Sequence, residues 1–211
     1  MKEKIVEALK TRYAVQVFDT TKKISEADLN IILESGRLTP SSYGFEPWKF
    51  IVVENPDLRL KLREAAYDQA KVSEASHLIV LAYRTDSRQN IVRERIERTA
   101  ETYKVNADEL QDFQVMMQGS IDRQTDDVLA ADMKAQAYIA LGVMIETASL
   151  LGIDNAPMGG FDNASVDDLL GLKEQNLSAA VFLALGYHGA DAAAERLKVR
   201  RPFSEVVEFI K

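Results

Sequence analysis

Three cations stand at opposite ends of an acidic chain, and together they have the chemistry of an anion site. Arg12 follows the first amphipathic segment. Lys198 and Arg200 lie within RLKVRR, residues 196–201, which puts four cations in six residues of a protein of net charge −7. A guanidinium offers a planar fork of N–H donors to phosphate oxygens and an ammonium adds a compact charge, so a phosphate dianion would account for this basic island. The alternative is a solvated run of surface charge. Neither GxxxxGK[ST] nor GxGxxG occurs, so no P-loop or dinucleotide fold supplies another phosphate cradle.

A second candidate is the loop TPSSYGFEPWKF, residues 39–50. Pro40, Gly44 and Pro47 break the chain, and Phe45 and Trp48 are large enough to plug the edge of a core. Small hydroxyls such as Ser41 and Ser42, with free backbone amides, are equally suited to lie against a flat ligand. These residues alone leave both readings open. Paired with His77 or His188, the serines would suggest a hydrolase, but no GxSxG elbow is present. His77 opens an apolar strand, and His188 lies in a turn beside Gly189. With no cysteine and two histidines, disulfides, thiolate catalysis and Cys-ligated metals are excluded, and a zinc site would need several carboxylates. Met116 and Met117 either line a pocket or fill a core. The acidic balance argues against general nucleic-acid binding, which needs a basic surface.

The elements that must position these groups follow from the hydrophobic pattern. A chain of 211 residues, 46% of them hydrophobic, suits one large domain over 1–211. MKEKIVEALKTRY reads as an amphipathic helix with Ile5, Val6, Ala8 and Leu9 along one side, and not as a signal peptide. Apolar runs such as AAVFLALG, 179–186, are too short to span a bilayer, so a soluble, cytoplasmic protein is expected. Ser25 with Asp28 predicts a capped helix through Leu29, Ile32 and Leu33 that ends near Gly36. FIVVE (50–54) and HLIVLAYR (77–84) read as strands, and Asn55-Pro56 starts a helix between them. Residues 88–128 predict one or two solvated helices that act as a cover. Leu129–Leu151 carries the strongest helical signal, with Gly152 as its cap. APMGGFD (156–162) reads as a loop, Ser165 as the start of a short helix with Asp168 at the reciprocal cap position, and AAVFLALGYH as a strand. The tail PFSEVVEFIK alternates like a strand, with Phe203, Val207 and Phe209 on one face, and would need a partner to pair with. The whole predicts an α+β domain with a small sheet covered by helices.

Several of these segments together resemble the FMN-dependent nitroreductase family. They are LKTRYAVQVFD (9–19), TPSSYGFEPWKFIVV (39–53), EASHLIVL (74–81), KAQAYIALG (134–142), APMGGFD (156–162) and RLKVRRP (196–202), in the family's order and at similar spacing; residues 88–128 match poorly. The resemblance implies a small, mostly antiparallel sheet flanked by helices, with a C-terminal tail exchanged between the subunits of a homodimer and FMN held in two interface clefts. By matched position Arg12, Lys198 and Arg200 would hold the phosphate, with Tyr13 and Ala14 beside the flavin tail. Pro40, Ser41, Ser42 and Gly44 would reach across from the second subunit along the ring system. Lys71 matches a lysine near flavin N1 and O2, where a fixed cation favours the reduced anion. Asp68 or Gln69 falls near a position commonly occupied by Asn at the pyrimidine edge. Pro157, Met158, Gly159 and Gly160 would pass the opposite ring face, with a backbone N–H of Gly159 or Gly160 donating to N5.

Several departures alter this pattern, among them Tyr43-Gly44-Phe45, which changes the wall of the cleft. Gln16 stands where several members carry a lysine, so one cation beside the pyrimidine is missing. Gly159 replaces a glutamate of the enteric branch, and Glu46 stands where Gln often precedes Pro-Trp. The resemblance implies hydride transfer from NADH or NADPH, then two-electron reduction of a nitroaromatic, a quinone or a related flat acceptor. A specialised flavin, enoate or dehalogenating reductase would use the same fold. A non-enzymatic module whose basic tail docks an acidic partner is the reading of a different class.

Overall fold

The computed structural model describes residues 2–211. Its centre is a four-stranded sheet made of β1 (Trp48–Val53), β2 (His77–Arg84), β3 (Asp154–Met158) and β4 (Leu177–Gly186). The order is β1-β2-β4-β3 and every pairing is antiparallel, with Val80 opposite Ile51 on one side and Phe182 on the other. Around the sheet lie α1 (Lys2–Thr11), α2 (Glu26–Arg37), α3 (Pro56–Ala65), α4 (Lys71–Glu74), α5 (Arg88–Tyr103), α6 (Gln111–Asp122), α7 (Asp126–Leu150), α8 (Asn163–Leu170) and the single turn α9 (Phe203–Val206).

The two central strands are apolar over most of their length because helices cover both faces. Leu78, Val80, Ala82, Phe182 and Ala184 join Leu62 of α3 and Val166 of α8 on one face. Their alternate neighbours Ile79, Leu81, Val181 and Leu183 join Ile32 of α2 and Met144 of α7 on the other. On the first face Phe161 stacks on Phe182 at 4.4 Å. A third cluster lies off the sheet, where Ile91, Val92, Ile96, Met117 and Ile121 of α5 and α6 enclose Phe45 and the first turns of α7. Residues 88–122 are therefore not solvated helices alone, for each buries a stripe; Met117 belongs to that core, while Met116 is exposed.

The expected caps hold at α2, where Ser25 accepts from the Asp28 amide, and at α3, where Asn55 accepts from Leu58. The helix α2 ends at Arg37, next to Gly36 as expected. Gly36 itself lies inside α2, where a Cβ would fall 2.8 Å from Met144 Sδ and 2.9 Å from Phe50, so its role is close packing. Residues 154–158 form the edge strand β3 and not a loop; Pro157 is tolerated because an edge strand has one unpaired side. α8 begins at Asn163, with Asp162 accepting from the Ser165 amide, so Ser165 is inside the helix. The tail makes the turn α9 before extending, and nearly all of it is exposed. α7 is long and apolar enough to cross a membrane by length and composition, unlike the shorter runs weighed in the sequence. Here its Met133, Ala137, Ala140, Leu141, Met144 and Ala148 are buried in the core.

Candidate functional site

The two ends of the chain meet at the predicted cations. Lys198 Nζ donates to the Leu9 carbonyl at 2.6 Å and to that of Arg12, so the ammonium caps the C-terminal end of α1. Arg12 is half-buried, and its Nε is enclosed without a hydrogen-bond partner. Burial, then the nearby Arg200, pushes the Arg12 pKa down; burial, then Arg12 and Arg200, does the same to Lys198. Arg12 and Lys198, both depressed by burial and by neighbouring positive charge, are an arrangement an anion would relieve.

From Arg12 the chain runs alongside β3. Ala14 bridges to Asn155, and the Val15 amide donates to the Asn155 carbonyl at 3.3 Å. Buried Asp191 fixes this segment, with one oxygen accepting from Tyr13 Oη (3.2 Å) and the amides of Gln16 (2.7 Å) and Val17 (3.2 Å) and the other from Ala193 N (2.9 Å). Burial works to raise the Asp191 pKa, but these hydrogen bonds outweigh it and hold the carboxyl below its usual range. Burial, with Asp191 close behind, pushes the Tyr13 phenol up to about 12. The sequence reading missed Asp191: its only local signal is an N-cap before Ala192–Glu195, which says nothing about residues 13–17.

Lys71, the first residue of α4, reaches Gln16 Oε1 at 3.2 Å, while Gln16 Nε2 donates to the Ala14 carbonyl at 2.7 Å. Burial lowers the Lys71 pKa and Asp191 partly restores it. Gln69 donates to the carbonyl of Gly160 at 2.9 Å, whereas Asp68 turns away to Arg63 at 2.6 Å. Of the two residues left open by the sequence, Gln69 faces the glycine loop. Pro157 and Met158 end β3, and Gly159 and Gly160 follow it exposed. A Cβ at Gly159 would lie 3.4 Å from Tyr138 Oη, which donates to the Ala180 carbonyl at 3.3 Å. Tyr138, which the sequence did not single out, adds a polar group to this edge.

Pro40, Ser41, Ser42 and Gly44 gather elsewhere. Ser41 Oγ accepts from the Glu46 amide and the Ser42 amide donates to Gln136 Oε1, both at 2.9 Å. Tyr43, Gly44 and Glu46 have φ of 52°, 67° and 48°, in the left-handed region. Within one chain this loop is held by α7 and α5 and not by the segments that carry Arg12 and Lys71. The histidines give the serines no base: His77 pairs with Ser76 at 3.0 Å and His188 with Asp154 at 2.7 Å. A separate cleft of about 460 Å³, lined by Lys23, Arg59 and His77, lies apart from these groups, and Arg59 there is spent on the carbonyls of Val72, Ala75 and Ser76.

The model of the Nitroreductase family matches residues 9–187, most of the chain. The chain belongs to the nitroreductase family. An inferred NAD(P)H nitroreductase of Staphylococcus haemolyticus is 36% identical over 100% of this chain and 99% of its own length. Among solved nitroreductase structures, an inferred member from Bacillus subtilis superposes with a TM-score of 0.87 at 21% identity, covering 100% of both chains. Another from Exiguobacterium sibiricum, crystallised in complex with FMN, superposes at 0.81 with 21% identity, covering 98% of this chain and 97% of its own. The nitroreductase match stops short of Lys198 and Arg200, so the basic end is joined to the site by the contact of Lys198 with α1.

Proposed function

We propose that this chain is a cytoplasmic, FMN-dependent oxidoreductase that takes electrons from NADH or NADPH and passes them to nitroaromatics, quinones or related flat acceptors. The observation that carries the reading is the convergence of Arg12, Lys198 and Arg200, with Arg12 Nε buried and unpaired. A phosphate there supplies the missing acceptor. FMN, when bound, supplies two-electron chemistry at its ring, with donor and acceptor using one slot in turn.

The chain's own residues bind and orient. Arg12, Lys198 and Arg200 hold the phosphate, and Tyr13 and Ala14 line the path away from it, kept in place by Asp191. Lys71, steered by Gln16, sets positive charge at the pyrimidine end. Gln69 fixes the Gly160 carbonyl, which leaves the backbone N–H groups of Gly159 and Gly160 to face the ring. The single domain over 1–211 acts as a homodimer in which Pro40, Ser41, Ser42 and Gly44 of one copy close the cleft of the other. Its support is apolar surface left uncovered: Val6 and Leu9 on α1, Ile139 on α7, and Leu197, Phe203, Phe209 and Ile210 on the tail are all exposed.

The test is an absorption spectrum of the purified protein, anaerobic titration with each nucleotide, and light scattering for mass. A flavin spectrum bleached by NADH or NADPH, in a particle of two chains, is expected. A protein that stays colourless when FMN is supplied and oxidises no nucleotide in the presence of a quinone would overturn the reading.

A further inference from the structure

In an acidic protein an arginine drawn out of water finds a carboxylate or a set of carbonyls. Arg63 has Asp68 and Glu74, Arg84 has Asp86 and Glu94, and Arg88 has Asp126. Two half-buried arginines among the described residues depart from this rule. Arg12 and Arg95 both enclose an Nε without a partner, and neither forms an ion pair. A phosphate accounts for Arg12. Nothing yet accounts for Arg95.

Arg95 projects from α5 onto the 41–46 loop. A Cβ on Gly44 would fall 2.7 Å from its Cζ and from Nη2, so the missing side chain at residue 44 is what lets the guanidinium lie against the loop backbone. The loop's carboxylate, Glu46, is engaged by Arg98 at 3.0 Å and leaves Arg95 unneutralised. Tyr43 on the same loop is only partly buried against the enclosed Phe45, their rings 5.6 Å apart, and leaves part of an aromatic ring open. A cation with one side already stripped of water, on a loop that carries a partly open aromatic ring, is suited to an anionic group on a flat molecule.

We infer that Arg95 is a specificity-determining residue that favours substrates carrying an anionic group, either a phosphate on the nucleotide donor or a carboxylate on the aromatic acceptor. The inference rests on the proposed FMN-dependent activity, because that reading brings the 40–44 loop to the ring cleft. A charge-assisted pair of this kind selects by roughly ten- to a hundredfold.

The probes are 4-nitrobenzoate and nitrobenzene, which differ by one carboxylate, and NADPH and NADH, which differ by one phosphate. Dissociation constants of the two acceptors are read from perturbation of the flavin spectrum without any donor, and KM values from turnover, in the wild type, Arg95→Gln and Arg95→Lys. The ratio of anionic to neutral dissociation constants or KM values rises at least about tenfold in Arg95→Gln and falls back in Arg95→Lys. A rise confined to the nitrobenzoate pair assigns the carboxylate, and one confined to the nucleotides assigns the phosphate. Ratios unchanged in a flavin-loaded Arg95→Gln protein overturn this inference alone, whereas a protein that takes up no flavin overturns the proposed function as well. Should Arg95→Gln fail to fold, added potassium chloride on the wild type decides: weaker binding of the anionic probe alone supports the inference, and equal effects on both overturn it.

Discussion

At the scale of single residues, the site is built from charges whose partners are carbonyls, amides or one another. Arg12 is the clearest case, since its Nε is enclosed and its own pKa is pressed down by burial and Arg200. Replacing Arg12 by Gln removes a charge-assisted contact of roughly 1.5–3 kcal/mol, so flavin affinity measured by fluorescence titration should fall about ten- to a hundredfold. Asp191 leads to a prediction about pH. Its carboxyl is held below the ordinary aspartate range, so its stabilising contribution is complete above the unfolded value, about 3.9, and is lost as pH falls through the lower folded value. Asp191→Asn should therefore lower the melting temperature at neutral pH, and the gap to the wild type should close below about pH 4. A gap that stays constant down to the acid limit would show that the carboxylate charge is not what holds residues 13–17. The sequence offered Arg12 and Lys198 as candidates because they belong to basic positions that an acidic chain could have left neutral, and Lys71 only through the family resemblance. It hid Asp191, Arg95 and Tyr138 because each acts through a segment far away in the chain, and local pattern records only near neighbours.

Among the elements, those covered by their own chain were the most legible. HLIVLAYR reads as a strand because both faces are buried, and the observed limits are the same residues, 77–84. α3 is legible from Asn55-Pro56, since the side chain and the ring each satisfy a constraint at the first turn. β3 was not legible: Asn155 and Pro157 are poor strand formers, and the pairing is imposed by β4 from outside. Gly36 marked the end of α2 to within a residue, but the sequence did not show that the structure also uses it to seat α2 on α7. Gly36→Val should drive α2 away from Met144 and Phe50, at a cost of roughly 1–3 kcal/mol in denaturant unfolding. If the variant unfolds at the wild-type midpoint, the contact between α2 and α7 is looser than the 2.8 Å approach implies.

For the whole molecule, the decisive feature is apolar surface the single chain leaves bare. No residue of α1 is buried, although its sequence is amphipathic, and the tail from Leu197 to Ile210 carries exposed Val199, Phe203, Val206 and Phe209. A helix needs a face to pack against, and a tail with this alternation needs an edge or a groove. Lys198 fastens the start of the tail to α1, so whatever covers one element lies next to the other. A second copy meets both needs, and in the proposed dimer it also delivers the 40–44 loop to the ring cleft. Ending the chain at Pro202 keeps Lys198 and Arg200 but removes the apolar part of the tail. The truncated protein should shift toward the monomer in light scattering at low concentration and lose flavin in parallel, because in the proposed dimer each cleft is completed by the other copy. Dimer loss with flavin affinity unchanged would mean that one chain binds the cofactor alone, and the 40–44 loop would then have to find its ligand in some other cleft.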